Sequence, residues 1–220
     1  MRQMLSRSGG LAGAVLLASI SGGEEAAHAQ AIDAAATPRP EVRSAVTRPT
    51  GRVGRALRLR GTVTPAARGR RVSLQVARAG RWKTIARTRT RADGSYRLRL
   101  RPREAFSARA RIATRAPDGR RIRRGLGRLE IYRSAAASWY GPGLYGNRTG
   151  CGGTLTTGSV GVAHKSLPCG TRVTFRHHGR RIRVPVIDRG PYVGGREYDL
   201  TSAVARRLGF RGHGAVLATR

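Results

Sequence analysis

Acidic residues are scarce in this chain. Its 220 residues include 11 Asp and Glu against 44 Lys and Arg, which gives a formal net charge of +33. Lysine is nearly absent as well: Lys83 and Lys165 are the only two, so the other 42 basic residues are arginine. A genome that favours arginine codons would account for that ratio, but the physical result is a protein strongly attracted to polyanions. Wall polymers, anionic lipid headgroups and nucleic acid are the candidate polyanions.

Long hydrophobic runs are also missing. The apolar stretch of residues 11–20 is shorter than the about 20 residues that a transmembrane helix needs. It precedes Ala27-His28-Ala29, a small-x-small cleavage pattern, so residues 1–29 are predicted to be a secretory signal peptide cleaved near Ala29. No cysteine before Cys151 offers a lipidation site. We therefore expect a secreted protein of the cell wall or periplasm-equivalent space, without a lipid anchor, a transmembrane segment or a nucleic-acid partner.

Residues 30–43 have no periodicity and are predicted to be an Ala/Pro-containing linker. Residues 44–133 then alternate apolar with arginine or polar residues, as at Leu57, Leu59 and Val63, or Val72, Leu74 and Val76. Such alternation puts the apolar residues on one strand face and arginine on the solvated face. With turn sequences such as Asp93-Gly94, it predicts an antiparallel β-sandwich, similar to immunoglobulin- or transthyretin-like modules. Its arginine stripe is interpreted either as a wall-binding face or as a solvated sheet face.

Five motifs follow one another in the last part of the chain. They are Ala137-Ser138-Trp139-Tyr140-Gly141, the run from Gly161 to Pro168, Gly170-Thr171-Arg172-Val173, Asp188-Arg189-Gly190-Pro191, and Tyr198-Asp199-Leu200-Thr201. In this order they resemble the double-psi β-barrel domain of the rare lipoprotein A (RlpA) family. The resemblance implies that residues 134–220 form a six-stranded double-psi β-barrel with a short helix, so the fold class is mainly β. It also implies an exported, peptidoglycan-active endolytic lytic transglycosylase.

Within this domain, alternation predicts a strand through Val173 and Phe175 and another through Ile182, Val184 and either Val186 or Ile187, joined by a turn at His178-Gly179. Thr201 is a plausible N-cap for a helix that buries Ala203, Val204 and Leu208 and ends at Gly209. Val216 and Leu217 are expected to close the barrel. A small barrel of this kind leaves a surface groove for an extended glycan.

Cys151 and Cys169 are the only cysteines. In an exported protein two cysteines most simply form one disulfide. A nucleophilic thiol beside His164 or half of a metal site are the alternatives. The metal site is disfavoured because the two cysteines are not a close ligand pair. We expect no cofactor and no metal.

The scarcity of acids narrows the catalytic candidates in the barrel to Asp188, Glu197 and Asp199. Cleaving a glycosidic bond needs a protonated acid near the leaving oxygen. Asp199 resembles the catalytic or substrate-contacting aspartate of related barrels, and Asp188 the second acidic position of the family. Each has an alternative role, Asp188 in a turn with Arg189 and Asp199 as a helix cap. His164 is a third catalytic candidate, which either orients substrate or satisfies a buried hydrogen bond.

Two family positions have lost their acids. Where the family carries a glutamate followed by an aspartate, this chain has Gly153 and Thr156. The alternative function is therefore a non-catalytic, expansin-like protein that binds or loosens the wall. In either case the expected partners are peptidoglycan glycan strands and anionic wall polymers, and we expect a monomer. The aromatic residues Trp139, Tyr140 and Tyr192 are predicted to bind substrate by stacking on sugar faces.

Overall fold

The computed structural model describes residues 39–220. The predicted signal peptide and most of the predicted linker lie outside these residues. The described part is mainly β. Its elements are β1 (Glu41–Ser44), β2 (Thr50–Arg52), β3 (Leu57–Thr64), β4 (Arg71–Arg78), β5 (Arg81–Arg89), β6 (Ser95–Leu100), β7 (Phe106–Arg115), β8 (Arg121–Tyr140), β9 (Val162–Ala163), β10 (Arg172–His177), β11 (Arg180–Asp188), β12 (Tyr198–Thr201), α1 (Ser202–Leu208) and β13 (Gly214–Ala218). No helix in residues 39–220 is long and apolar enough to cross a membrane.

The first part of the chain forms two sheets around one core. One sheet has the order β1-β3-β6, and the other runs β5-β4-β7-β8, with β2 pairing in parallel with β8. The alternation seen in the sequence is confirmed: Leu59, Val63, Val72, Leu74 and Val76 are all buried in this core. Arg58 and Arg60, on either side of Leu59, are exposed on the outer face. The first strand begins at Glu41, so the sheet extends into the last residues of the predicted linker.

Six strands form the C-terminal barrel: the end of β8 together with β9 to β13. The core contains Val173, Phe175, Val184 and Val216, as expected, and Val186 rather than Ile187 is its inward residue on β11. Tyr198 and Leu200 on β12 also point into it. Because β12 alternates, Asp199 between them faces away from the core.

The short helix α1 ends as expected but begins differently. Gly209 takes the left-handed conformation (φ 64°) that terminates the helix, and Ala203, Val204 and Leu208 are buried. Thr201 occupies the N-cap position, but its side chain makes no capping bond. Its hydroxyl instead accepts a hydrogen bond from the Gly161 backbone N–H at 3.4 Å. Thr201 therefore ties α1 to the loop before β9.

The sandwich and the barrel share one strand. β8 pairs with β7 in the sandwich through Ile131 and with β13 in the barrel from Arg133 onward. The boundary expected at residues 133–134 thus falls inside a continuous strand, which short-range sequence patterns do not reveal. At this junction Glu130 is buried and contacts Arg181 of β11. A polar contact therefore links the two parts beside the shared backbone.

Candidate functional site

A groove of about 280 Å³ on the barrel contains both predicted aspartates. Asp188, at the end of β11, and Asp199, on β12, are both paired with Ala163 on the intervening strand β9. Since neighbouring strands lie about 4.8 Å apart, two strand spacings of about 10 Å in total separate the backbones that carry the two aspartates. The methyl group of Ala163 lies between them. The small residue leaves room for a substrate between the two carboxylates.

Asp199 is half-buried at one wall of this groove. Its Oδ1 accepts a hydrogen bond from the Ser138 hydroxyl at 2.8 Å. Burial raises the pKa of Asp199, and the negative charge of Asp188 adds to this, against the opposing effects of Ser138 and Arg196. The alternative role of Asp199 as a helix cap is not observed, because its carboxylate accepts a hydrogen bond from Ser138 of β8 instead. A carboxyl with a raised pKa is the kind of group that donates a proton.

Asp188 is held by backbone amides. Its Oδ1 accepts hydrogen bonds from the N–H of Gly150 at 2.6 Å and from the N–H of Arg189 at 2.8 Å. The expected turn role is therefore present, but Asp188 contacts the backbone of Arg189 and not its guanidinium. Through Gly150, Asp188 also holds the loop that carries Cys151. The two aspartates thus have different surroundings: Asp199 is buried beside a hydroxyl, and Asp188 is fixed in a loop.

The three aromatic candidates lie in different places. Tyr140 lines the groove, and its hydroxyl is buried without a hydrogen-bond partner among the described residues. Burial, the charge of Asp188, its proximity to the Tyr140 hydroxyl as a hydrogen-bond acceptor, and the charge of Asp199 raise the pKa of Tyr140, so the hydroxyl stays protonated as a donor. Tyr192 lines the rim and is 81% exposed. Trp139 is 37% exposed but is not among the residues lining the groove.

His164 does not share the groove with the aspartates. Strand alternation turns it to the opposite face from Ala163, where its ring packs against Tyr198 with centroids 5.0 Å apart. Its Nδ1 accepts hydrogen bonds from the N–H groups of Ser166 and Leu167, at 3.1 and 3.0 Å. Burial lowers the pKa of His164, against the raising effect of Glu197. Of the two interpretations offered by the sequence, this geometry favours a buried hydrogen-bonding role.

Cys151 and Cys169 form a disulfide, with their Cα atoms 5.6 Å apart. Arg189 reinforces the same region, since its Nη1 donates to the carbonyls of His164 and Leu167 at 3.1 and 2.8 Å. Its side chain also lies against Gly150, where a Cβ would come within 2.7 Å of it. The bridge and Arg189 together fix the two loops beside the groove. No group of three or more potential metal ligands occurs within residues 39–220.

The two positions that lack family acids lie in the loop after Cys151. Gly153 is exposed, has a φ of +83°, and has open space where a side chain would begin. Thr156 donates its backbone N–H to the Ser159 hydroxyl at 2.9 Å. Sequence reasoning missed several residues that line the groove, including Leu144, Asn147, Arg148, Leu155 and Val193. Leu144 and Val193 are exposed apolar residues next to the recognised motifs. Their place in the sequence beside those motifs is the signal that could have identified them.

Comparisons with known proteins agree on the barrel. Residues 133–218 match the sequence model of a family described as lytic transglycolase. A probable endolytic peptidoglycan transglycosylase RlpA from Synechocystis is 40% identical over 88 residues, covering 39% of this chain and 27% of that protein. Its namesake from Aquifex aeolicus is 37% identical over 94 residues, covering 42% of each chain. The endolytic peptidoglycan transglycosylase RlpA of Campylobacter jejuni is 42% identical over 74 residues, covering 33% and 27%.

The chain therefore spans less than half the length of these relatives. Among solved structures, a marsupial T cell receptor matches with a TM-score of 0.33 and 12% identity, covering 81% of this chain and 84% of that one. A likeness at this level carries no information about fold or function.

Proposed function

We propose that the protein, whose residues 133–218 match the lytic transglycolase family and resemble RlpA proteins, cleaves peptidoglycan glycan strands as an endolytic lytic transglycosylase. The observation that carries the proposal is the groove in which Asp199 has a raised pKa beside the unpartnered Tyr140 hydroxyl. The similar proteins of known sequence are named for the same activity. We further propose that the chain acts outside the cytoplasm, after removal of residues 1–29.

Asp199 supplies the proton for bond cleavage. Its protonated carboxyl donates to the glycosidic oxygen, and the bond between that oxygen and the muramyl C1 breaks. The 6-hydroxyl of the same muramyl residue then attacks C1 and returns its proton to the Asp199 carboxylate. The products are a free hydroxyl on one strand end and a 1,6-anhydro ring on the other. No water is consumed, so a single acid/base group is sufficient.

The other groove residues position the substrate. The Tyr140 hydroxyl lies near the Asp188 carboxylate but makes no close hydrogen bond within the described residues, so it can donate to a sugar oxygen. Exposed Tyr192 at the rim offers a flat face for a sugar ring. Asp188 raises the pKa of Asp199 through its charge and holds the loop around Gly150. His164 holds the loop of Ser166 and Leu167 by accepting their backbone hydrogen bonds, and it has no role toward the substrate.

A second candidate is a non-catalytic, expansin-like protein that binds the same strands. The observation that favours it is the open space at Gly153, the position at which the family resemblance implies a glutamate. In this case the groove would hold the glycan without a complete set of acids. Binding without cleavage is the property that separates the two candidates.

The test compares cleavage and binding in the same samples. Purified wall sacculi and peptide-stripped strands are incubated with wild type, Asp199→Asn and Glu197→Gln, and new 1,6-anhydro-muramic ends are counted by mass spectrometry. Glu197 is the matched control, because it is a barrel carboxylate that pairs with Arg133 outside the groove. We expect cleavage by wild type and Glu197→Gln and none by Asp199→Asn. If wild type binds both substrates without forming such ends, the second candidate is correct.

A further inference from the structure

A second groove lies on the sandwich, away from the aspartates. This arginine groove, of about 500 Å³, runs over the outer face of β5, β4, β7 and β8. Seven of its lining residues are arginine and none is acidic. Its members are Arg70, Arg71, Ser73, Gln75, Arg89, Arg111, Ala113, Thr114, Arg115, Arg121 and Arg123. The proposed cleavage of glycan strands does not use this surface.

Strand register arranges these arginines in a row. Arg71 lies directly opposite Arg89, and Arg115 directly opposite Arg121. The pairing of β4 with β7 brings the two pairs side by side, and the Thr114 hydroxyl bonds to the Arg71 carbonyl at 2.8 Å. Four cations thus cross four strands, a span of about 14 Å at 4.8 Å per strand. Directly opposed like charges destabilise a sheet, and a bound anion along this row would offset that cost.

The centre of the groove is built from small and partly desolvated residues. Ser73 and Ala113 are paired and form a low floor between the arginines. Arg111 is held in place by Gln75, whose Oε1 accepts from its Nε at 2.8 Å, and by the Trp82 ring at 3.9 Å. Burial and the charges of Arg123 and Arg121 lower the pKa of Arg111. Arg70 Nη1 is buried with no acceptor among the described residues.

We infer that the arginine groove binds a linear phosphodiester polymer of the cell envelope, one without aromatic bases. Guanidinium groups bind phosphate oxygens through paired hydrogen bonds. A row of four matches a chain that presents phosphates at intervals better than it matches a single anion. Proteins that hold single-stranded nucleic acid add aromatic platforms for the bases, and the groove lining contains no aromatic residue. The groove would therefore retain the protein on an anionic wall polymer, independently of the barrel.

The test compares two variants with the same change in net charge. Arg71, Arg121 and Arg123 are replaced together by Gln; none of the three makes a side-chain hydrogen bond within residues 39–220. The control replaces Arg58, Arg97 and Arg99, which are exposed on the opposite sheet and include the opposed pair Arg58 and Arg99. Binding of a synthetic glycerol phosphate oligomer is measured over a range of salt concentrations. A single-stranded DNA oligonucleotide with the same number of phosphates is measured in parallel.

The groove variant should bind the phosphate oligomer about 10-fold or more weakly at moderate salt. The slope of its log binding constant against log salt concentration should become shallower by about 2, since each lost phosphate contact contributes about 0.7 to that slope. The control variant should stay within about 3-fold of wild type by the same reasoning. Asp199→Asn should bind as wild type does. Equal weakening in both triple variants, or no binding by wild type, would overturn the inference. Tighter groove-dependent binding of the DNA would identify a nucleic acid as the occupant and also overturn it.

Discussion

Replacing Glu130 by Gln is expected to weaken the whole folded unit, because this carboxylate joins the sandwich to the barrel. Glu130 is 2% exposed and lies on the shared strand β8. Its Oε2 accepts hydrogen bonds from the Tyr132 hydroxyl and from Arg181 Nε, both at 2.7 Å. Thr174 on β10 donates to Oε1 at 3.4 Å. The substitution keeps the shape but removes the charge that all three donors share.

The size of the effect follows from the exposure of the partners. Breaking a fully buried ion pair costs about 3–5 kcal/mol. The Arg181 side chain is 46% exposed and regains water, so the expected loss is smaller. The Tyr132 hydroxyl loses a charged acceptor, and a hydrogen bond to a charged group is worth about 1.5–3 kcal/mol. We therefore expect the free energy of unfolding to fall by about 2–4 kcal/mol.

The measurement is urea unfolding followed by circular dichroism. The matched control is Glu104→Gln, whose carboxylate is 65% exposed and pairs with Arg78 at 2.6 Å. An exposed pair of this kind contributes about 1 kcal/mol or less. Similar losses in the two variants would refute the reasoning.

The same contact predicts a dependence on pH. Burial alone would raise the pKa of Glu130, but the hydrogen bonds from Arg181 and Tyr132 and the charge of Arg181 lower it overall. The stabilisation is therefore complete above the ordinary glutamate value of 4.5 and is lost as the pH falls through the lowered pKa. The difference in stability between wild type and Glu130→Gln should shrink in acid.

Three further predictions concern the barrel. Replacing Cys151 and Cys169 together by Ser should lower the free energy of unfolding by about 3 kcal/mol in urea, as the loss of a loop constraint of this length predicts, and an unchanged urea midpoint would contradict this. Tyr140→Phe should change stability little, because the hydroxyl makes no close hydrogen bond within the described residues, while cleavage falls by about 100-fold; a variant that unfolds more readily but cleaves normally would contradict the assigned role. Because burial raises the pKa of Asp199, cleavage should fall as the pH rises through that value, and a flat pH–rate profile would exclude Asp199 as the proton donor.

Local patterns in the sequence were sufficient for the strands and for the two aspartates and two tyrosines that line the groove. The burial of Val72, Leu74 and Val76 follows from the period-two alternation of a strand alone. The motifs that carry Asp188, Asp199 and Tyr140 converge on one groove. The features that were not predicted depend on which strands and residues pair with one another, and short motifs do not contain that information. The inward choice of Val186 over Ile187 could not be decided by apolar residues alone.

His164 lies outside the groove and packs its ring against Tyr198, a contact that no short motif contains. The junction at Glu130 was missed for the same reason, since Arg181 is 51 residues away. The sequence predicted a stripe of arginines on one strand face, either binding the wall or simply solvated, but it did not predict a groove. Its concavity arises from Ser73 and Ala113 on neighbouring strands, and this depends on how those strands pair.

The most direct test of the proposed activity is to digest glycan strands in water enriched in oxygen-18. If Asp199 protonates the leaving oxygen and the muramyl 6-hydroxyl closes the ring, the new ends are 1,6-anhydro-muramic residues that contain no oxygen from the solvent. Asp199→Asn should form no new ends while still binding the strands. New ends that carry oxygen-18 would show that water attacks, and an absence of new ends with wild type would show that the groove only binds; either result contradicts the account.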